Sequence, residues 1–139
     1  MSKDRRERLG KLVNVMERLK DFHQAQHAGH LAAAVRANAE AEEIAGRIDA
    51  GDAMSSLFPD LYHRRVADAL RRGRESTLRA ETEARAVIAA DARTNALARA
   101  YREAAAFEER DKADKERLEF IQRPAANGPQ ASRKLDLEE

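Results

Sequence analysis

The segment Pro59–Arg123 reads PDLYHRRVADALRRGRESTLRAETEARAVIAADARTNALARAYREAAAFEERDKADKERLEFIQR. After Pro59 no proline occurs until Pro124, and the only glycine is Gly73. The rest is dominated by Ala, Arg, Glu, Leu and Lys, residues that lose little on entering a helix. The segment is therefore expected to be one helix of roughly 65 residues and about 95 Å. A helix of that length cannot bury itself in a globule built from so short a chain. It needs a partner helix laid along it, and the N-terminal third of the chain has the composition of that partner.

Composition points the same way. Charged residues make up 37% of the chain and aromatic residues only 4%, too few to fill a globular core. Hydrophobic types still reach 42%, much of it alanine. That is the composition of a coiled coil or long helix. The mean hydropathy of −0.75 would also suit disorder. The spaced apolar positions over residues 5–123 argue against it. With a formal net charge of +1, no global field steers the chain to nucleic acid. The absence of cysteine excludes disulfide and thiol chemistry. No apolar run is long enough for a membrane span, and the charged N-terminus is not followed by a signal core. A cytoplasmic location is expected.

The first helix is expected over residues 4–49, with Ser2 or Asp4 as cap. Its seam is read as Leu9, Leu12, Met16, Leu19, His23, Gln26, His30, Ala33 and Ala37. A one-residue phase slip near residue 40 then carries it to Ala41, Ile44 and Ile48. Gly51 is placed just past its C-terminus, at C′. Residues 50–58 form the turn, Ser55 or Ser56 caps the second helix, and Pro59 sits in its first turn. A connection this short makes the two helices antiparallel neighbours. The second seam is read as Tyr62, Val66, Ala69 or Leu70, Gly73, Thr77, Ala80, Ala84, Val87, Asp91, Thr94, Leu97 or Ala98, Tyr101 and Ala105.

The fold class is thus all-α: a long antiparallel two-helix coiled-coil hairpin over residues 1–123, followed by a disordered tail, 124–139. Paired residue numbers should sum to about 110, given the turn. The second helix then overshoots, leaving Phe107–Arg123 unpartnered. The i,i+4 pairs Glu108–Lys112 and Asp111–Lys115 would support that overhang. A seam so rich in small or polar knobs buries little area, which predicts a marginal, flexible hairpin.

Nothing catalytic stands out. There is no Gly-rich phosphate loop, HExxH, GxSxG or cysteine, and a hairpin offers no concave pocket. No enzyme activity and no cofactor are expected. His23, His27 and His30 share an arc of the first helix, and such spacing can chelate zinc. No complete ligand set accompanies them, so they are read as polar seam positions and no metal site is assigned. Protonating them would loosen the seam, which would make stability pH-sensitive. Basic clusters at Lys3–Lys11 and Arg64–Arg79 read as solvated faces, without stacking aromatics or a groove-reading motif for nucleic acid. Met54, Leu57, Phe58, Leu61 and Tyr62 gather at the hairpin tip. They either plug the turn or form a docking knob.

The plan resembles the family of the flagellar type III export protein FliJ and its injectisome counterpart YscO. The resemblance lies in the basic, Leu-striped start RRERLGKLVNVMERLK, the central turn and the Ala/Arg/Glu-rich second helix. The charged ERDKADKERLEF segment and the polar tail complete it. The three-histidine seam and the Leu57–Phe58–Pro59 tip depart from it. The resemblance implies a stalk and chaperone escort for the export ATPase ring. The implied partners are the ATPase hexamer, the export gate protein at the inner membrane and export chaperones. Arg5, Arg6, Arg8, Leu118, Phe120 and Ile121 would meet the ATPase; Leu57, Phe58, Leu61 and Tyr62 would meet the gate. The stalk reading expects an elongated monomer. Two rival readings are a dimerising coiled-coil scaffold and a basic nucleic-acid-binding rod, whose affinity would fall steeply with salt.

Overall fold

The computed structural model describes residues 2–123; the predicted tail lies outside the described residues. Three helices follow in order: α1, Ser2–Asp49; α2, Ala53–Leu57; and α3, Pro59–Gln122. α1 and α3 pack along each other as an antiparallel hairpin. α1 starts at Ser2, so Asp4 lies within its first turn, where a carboxylate suits the helix dipole.

The turn is closed by backbone geometry. Gly51 adopts φ +69°, the left-handed conformation that glycine reaches without strain. Its N–H donates to the Ile48 carbonyl at 3.1 Å, and the Asp52 N–H donates to the Arg47 carbonyl at 3.1 Å. These two bonds make a Schellman motif with Gly51 at C′. The turn expected over residues 50–58 holds the single-turn helix α2. Ser55 and Ser56 do not cap α3. Their hydroxyls donate back to the Asp52 carbonyl, at 2.8 and 3.1 Å, because both lie inside α2. Phe58 precedes α3 and Pro59 opens it, where its missing N–H costs nothing. At the far end Arg123 is extended, as a residue before proline must be.

Both seams are uninterrupted heptad repeats. On α1 the positions facing α3 are Leu9, Val13, Met16, Lys20, His23, His27, His30, Ala34, Ala37, Ala41, Ile44 and Ile48, all buried or half-buried. Every second predicted position from Leu12 to Ala33 was therefore one residue early. Leu12 and Leu19 are exposed, and Val13 and Lys20 take their places. The predicted phase slip near residue 40 does not occur. On α3 the seam runs Tyr62, Val66, Ala69, Gly73, Ser76, Ala80, Glu83, Val87, Ala90, Thr94, Leu97, Tyr101, Ala104 and Glu108. Ser76, Glu83, Ala90 and Ala104 replace the predicted Thr77, Ala84, Asp91 and Ala105. The buried Thr94 hydroxyl is satisfied by the Ala90 carbonyl at 2.8 Å.

The register matches the expectation. Lys20 pairs with Asp91 at 2.7 Å and Glu40 with Arg72 at 2.9 Å, so paired numbers sum to about 110. Arg6 meets Glu108 at 3.1 Å. The pairing thus reaches beyond Phe107, and the overhang starts after Glu108 instead. Glu108 faces Arg6 and forms no bridge to Lys112, whereas Asp111–Lys115 is present at 3.0 Å. The unpartnered part of α3 projects about 20 Å.

Candidate functional site

The hairpin tip divides into a plug and a knob. Tyr62 is 8% exposed and belongs to the seam, and Ser55 in α2 is buried as well. Tyr62 is therefore not presented for docking, contrary to the expectation placed on it. Leu57, Phe58 and Leu61 are 70%, 51% and 52% exposed. Together they line one shallow depression with Pro59, Asp60 and Arg64. The fold brings these three sequence-selected residues together.

At the open end the expected set is split. Arg5 and Arg8 are exposed, but Arg6 is turned toward Glu108. Leu118, Phe120 and Ile121 lie about 15 Å or more beyond Glu108 along the overhang, at 1.5 Å per residue. All three are largely exposed, and Phe120 and Ile121 share a shallow depression with Ala113, Glu116 and Arg117. The arginines and the apolar overhang are separate surfaces of one end, not one patch.

Between the ends lies a polar stretch of seam. Lys20 Nζ donates to Asp91 Oδ1 at 2.7 Å, and this bond, with the charge of Asp91, raises the Lys20 pKa above its ordinary value. His23 Nδ1 stands 2.6 Å from Glu83 Oε2. His27 Nδ1 lies 2.8 Å from the Ala80 carbonyl oxygen, which can only accept, so Nδ1 carries the proton there. Each of these two histidines thus has its own acceptor on α3. Among the described residues no group of three or more His, Cys, Asp or Glu is placed to hold a metal ion. Among them, too, no helix is long and apolar enough to cross a membrane.

The flank near the turn carries a charge ladder. Arg72 bridges Glu40 across the seam and Asp68 one turn back, and Arg71 joins Asp68 to Glu75. Hydrogen bonds from Arg71, and then Arg72, hold the Asp68 carboxyl below the usual carboxylate range. The seam places of Lys20 and His27 are hidden from a sequence reading that follows the largest apolar side chains. The signal that reveals them is the strict seven-residue spacing from Leu9 to Ile48.

Comparison with protein-family models, with curated proteins and with solved structures finds no match to this chain.

Proposed function

We propose that this protein is a stalk that acts through its two ends, in the manner of the export-ATPase stalk of flagellar and related type III secretion. The observation that carries the reading is the pairing of α1 along α3, with large apolar side chains left uncovered at the tip and on the overhang. A rod of this kind has charged flanks, and the depressions seen among the described residues are shallow and open, so its work is reach and end contact rather than turnover. In this reading the overhang, with Leu118, Phe120 and Ile121, enters the ATPase ring, and Arg5 and Arg8 add charge beside it. Leu57, Phe58 and Leu61 face the export gate at the inner membrane from the cytoplasmic side, and export chaperones ride on the rod. Exposed ion pairs along the flanks contribute little net affinity and leave side contacts weak and salt-sensitive. The test is to add the protein to a cognate hexameric export ATPase. Stimulated hydrolysis and ring assembly are expected, with both lost when Phe120 and Ile121 become serine. No change in hydrolysis or assembly on addition removes the reading.

A further inference from the structure

One flank of the hairpin changes character along its length. Near the turn, Ala33, Arg36 and Glu40 of α1 line a depression with Arg72, Glu75 and Arg79 of α3, and Glu40 bridges Arg72. These positions therefore share a side of the rod. Both heptad repeats continue unbroken toward the open end, so residues spaced by sevens from these lie on the same side. On α1 that brings Phe22, Leu19, Val15 and Leu12 to this flank. They are 55%, 37%, 57% and 48% exposed, and no other part of the described chain covers them. On α3 the same arithmetic brings Ala89, Ala96, Ala100 and Phe107 opposite, with Phe107 58% exposed. The α1 half of this face is large and apolar and the α3 half mostly alanine, Phe107 apart, so together they offer an exposed apolar strip along which a helix could lie as in a trough.

The rim of the trough is basic. The outer edge of α1 carries Lys11 and Arg18, and that of α3 carries Arg85 and Arg99. Arg93 lies within the face, and Glu103 is the acid on its floor. None of these five cations belongs to an ion pair among the described residues. In the turn-proximal part of the same flank, by contrast, Arg71 and Arg72 are paired with Asp68, Glu75 and Glu40, although among the described residues Arg36 and Arg79 are not.

We propose that this trough is a docking site for an amphipathic helix with acidic flanks, supplied by another protein. The helix would lay a leucine-type stripe between α1 and α3, as helix-in-groove recognition does, and set its carboxylates against the unpaired cations. A second copy of this chain fits worse, because two such faces would bring basic rim against basic rim, and like charges set against each other select against a partner. The inference stands apart from the two end contacts of the stalk reading, and its peptide test does not depend on an export ATPase.

The test titrates the full chain into a labelled synthetic helix about three heptads long, with a leucine stripe and glutamate flanks. A matched peptide with lysine flanks is the comparison. The glutamate peptide should bind at least about tenfold tighter, weakening as salt rises. Leu19→Glu and Phe22→Glu should each weaken binding about tenfold, as expected when an apolar anchor is removed from a groove. Arg18→Glu and Arg93→Glu, made together, should reverse the preference between the two peptides. Ile88→Glu, exposed on the opposite flank, should leave binding unchanged. All of these positions are exposed, and a helical signal and melting temperature near the parent's confirm that each variant folds. Equal binding of the two peptides, or indifference to Leu19→Glu and Phe22→Glu, overturns the proposal. So does a dimer of the unaltered chain in sedimentation that Leu19→Glu splits, since that gives the face to a second copy.

Discussion

Replacing Ile44 with alanine removes three carbon atoms from the best-buried part of the seam. Ile44 is 3% exposed. The other buried apolar residues are alanines, apart from Tyr62. An alanine methyl buries little area, so Ile44 and Tyr62 carry a large share of what holds the two helices together near the turn. At about 0.8 kcal/mol per buried carbon the transfer loss is about 2.4 kcal/mol. Incomplete collapse around the gap adds to this, and the better helix propensity of alanine returns about 0.4 kcal/mol. The expected loss is therefore about 2–3 kcal/mol, a large fraction of the stability of a small protein. The assay is urea unfolding followed by circular dichroism, with Ile88→Ala as the control. Ile88 is 70% exposed and faces away from α1, so its truncation should move stability by no more than about 0.5 kcal/mol. If Ile44→Ala costs no more than that, or if Ile88→Ala costs as much as Ile44→Ala, then the seam is not where the structure puts it.

Gly51→Ala places a side chain at φ +69° and should destabilise the hairpin by about 1–2 kcal/mol, with Gly51→Asn costing less; thermal melts of the two decide it. Gly73→Ala should stabilise the chain by about 0.5–1 kcal/mol, because alanine is the better helix former and the side chain its Cβ would meet, that of Asn38, is exposed and free to rotate. A loss on Gly73→Ala that Asn38→Ala does not relieve would show that the helices cannot give at that point. Asp68 has a folded-state pKa held below its unfolded value, so its ionised form stabilises the hairpin above the unfolded pKa. That contribution disappears as pH falls through the lowered value, so a stability profile measured below about pH 4 should be flatter for Asp68→Asn than for the parent.

The heptad pattern, the glycine at the turn and the proline that opens α3 made the hairpin legible without coordinates. Each of these signals is local, and together they fix both the number of long helices and their direction. The phase of α1 was harder to read. Leu12 and Leu19 are the largest apolar side chains in their turns, yet they face outward, while Lys20 and His27 face in. A polar side chain is tolerated in a seam when an acceptor waits across it, and Asp91, Glu83 and the Ala80 carbonyl are those acceptors. Which acceptor stands across the seam depends on the register of α3, so α1 alone could not reveal it. Of the residues selected at the tip, Tyr62 was read both as the first seam position and as a docking residue, and its burial agrees with the seam reading alone. Its position one heptad before Ala69 puts it in the seam, whatever its neighbours do.

The polar stretch also answers a problem that alanine creates. Alanine knobs are alike, so a seam built from them would tolerate a shift of α1 along α3 by one heptad with little loss of packing. The shift is not tolerated where Lys20 stands. Moved by seven residues in either direction, Lys20 would leave Asp91 and face Ala84 or Ala98, and His23 would leave Glu83 for Ala90 or Ser76. Breaking the pair in this way gives up its hydrogen bond and its attraction, a modest cost because the two side chains are 30% and 48% exposed, but one that a seam of alanines does not carry. Polar seam residues that add little stability can thereby fix the register, as a single buried asparagine does in other coiled coils. Register in turn sets how far α3 projects past α1. A slip of one heptad would change that projection by about 10 Å, half the length of the overhang. For a rod whose contacts lie at its ends, that distance decides whether both ends can be engaged at once.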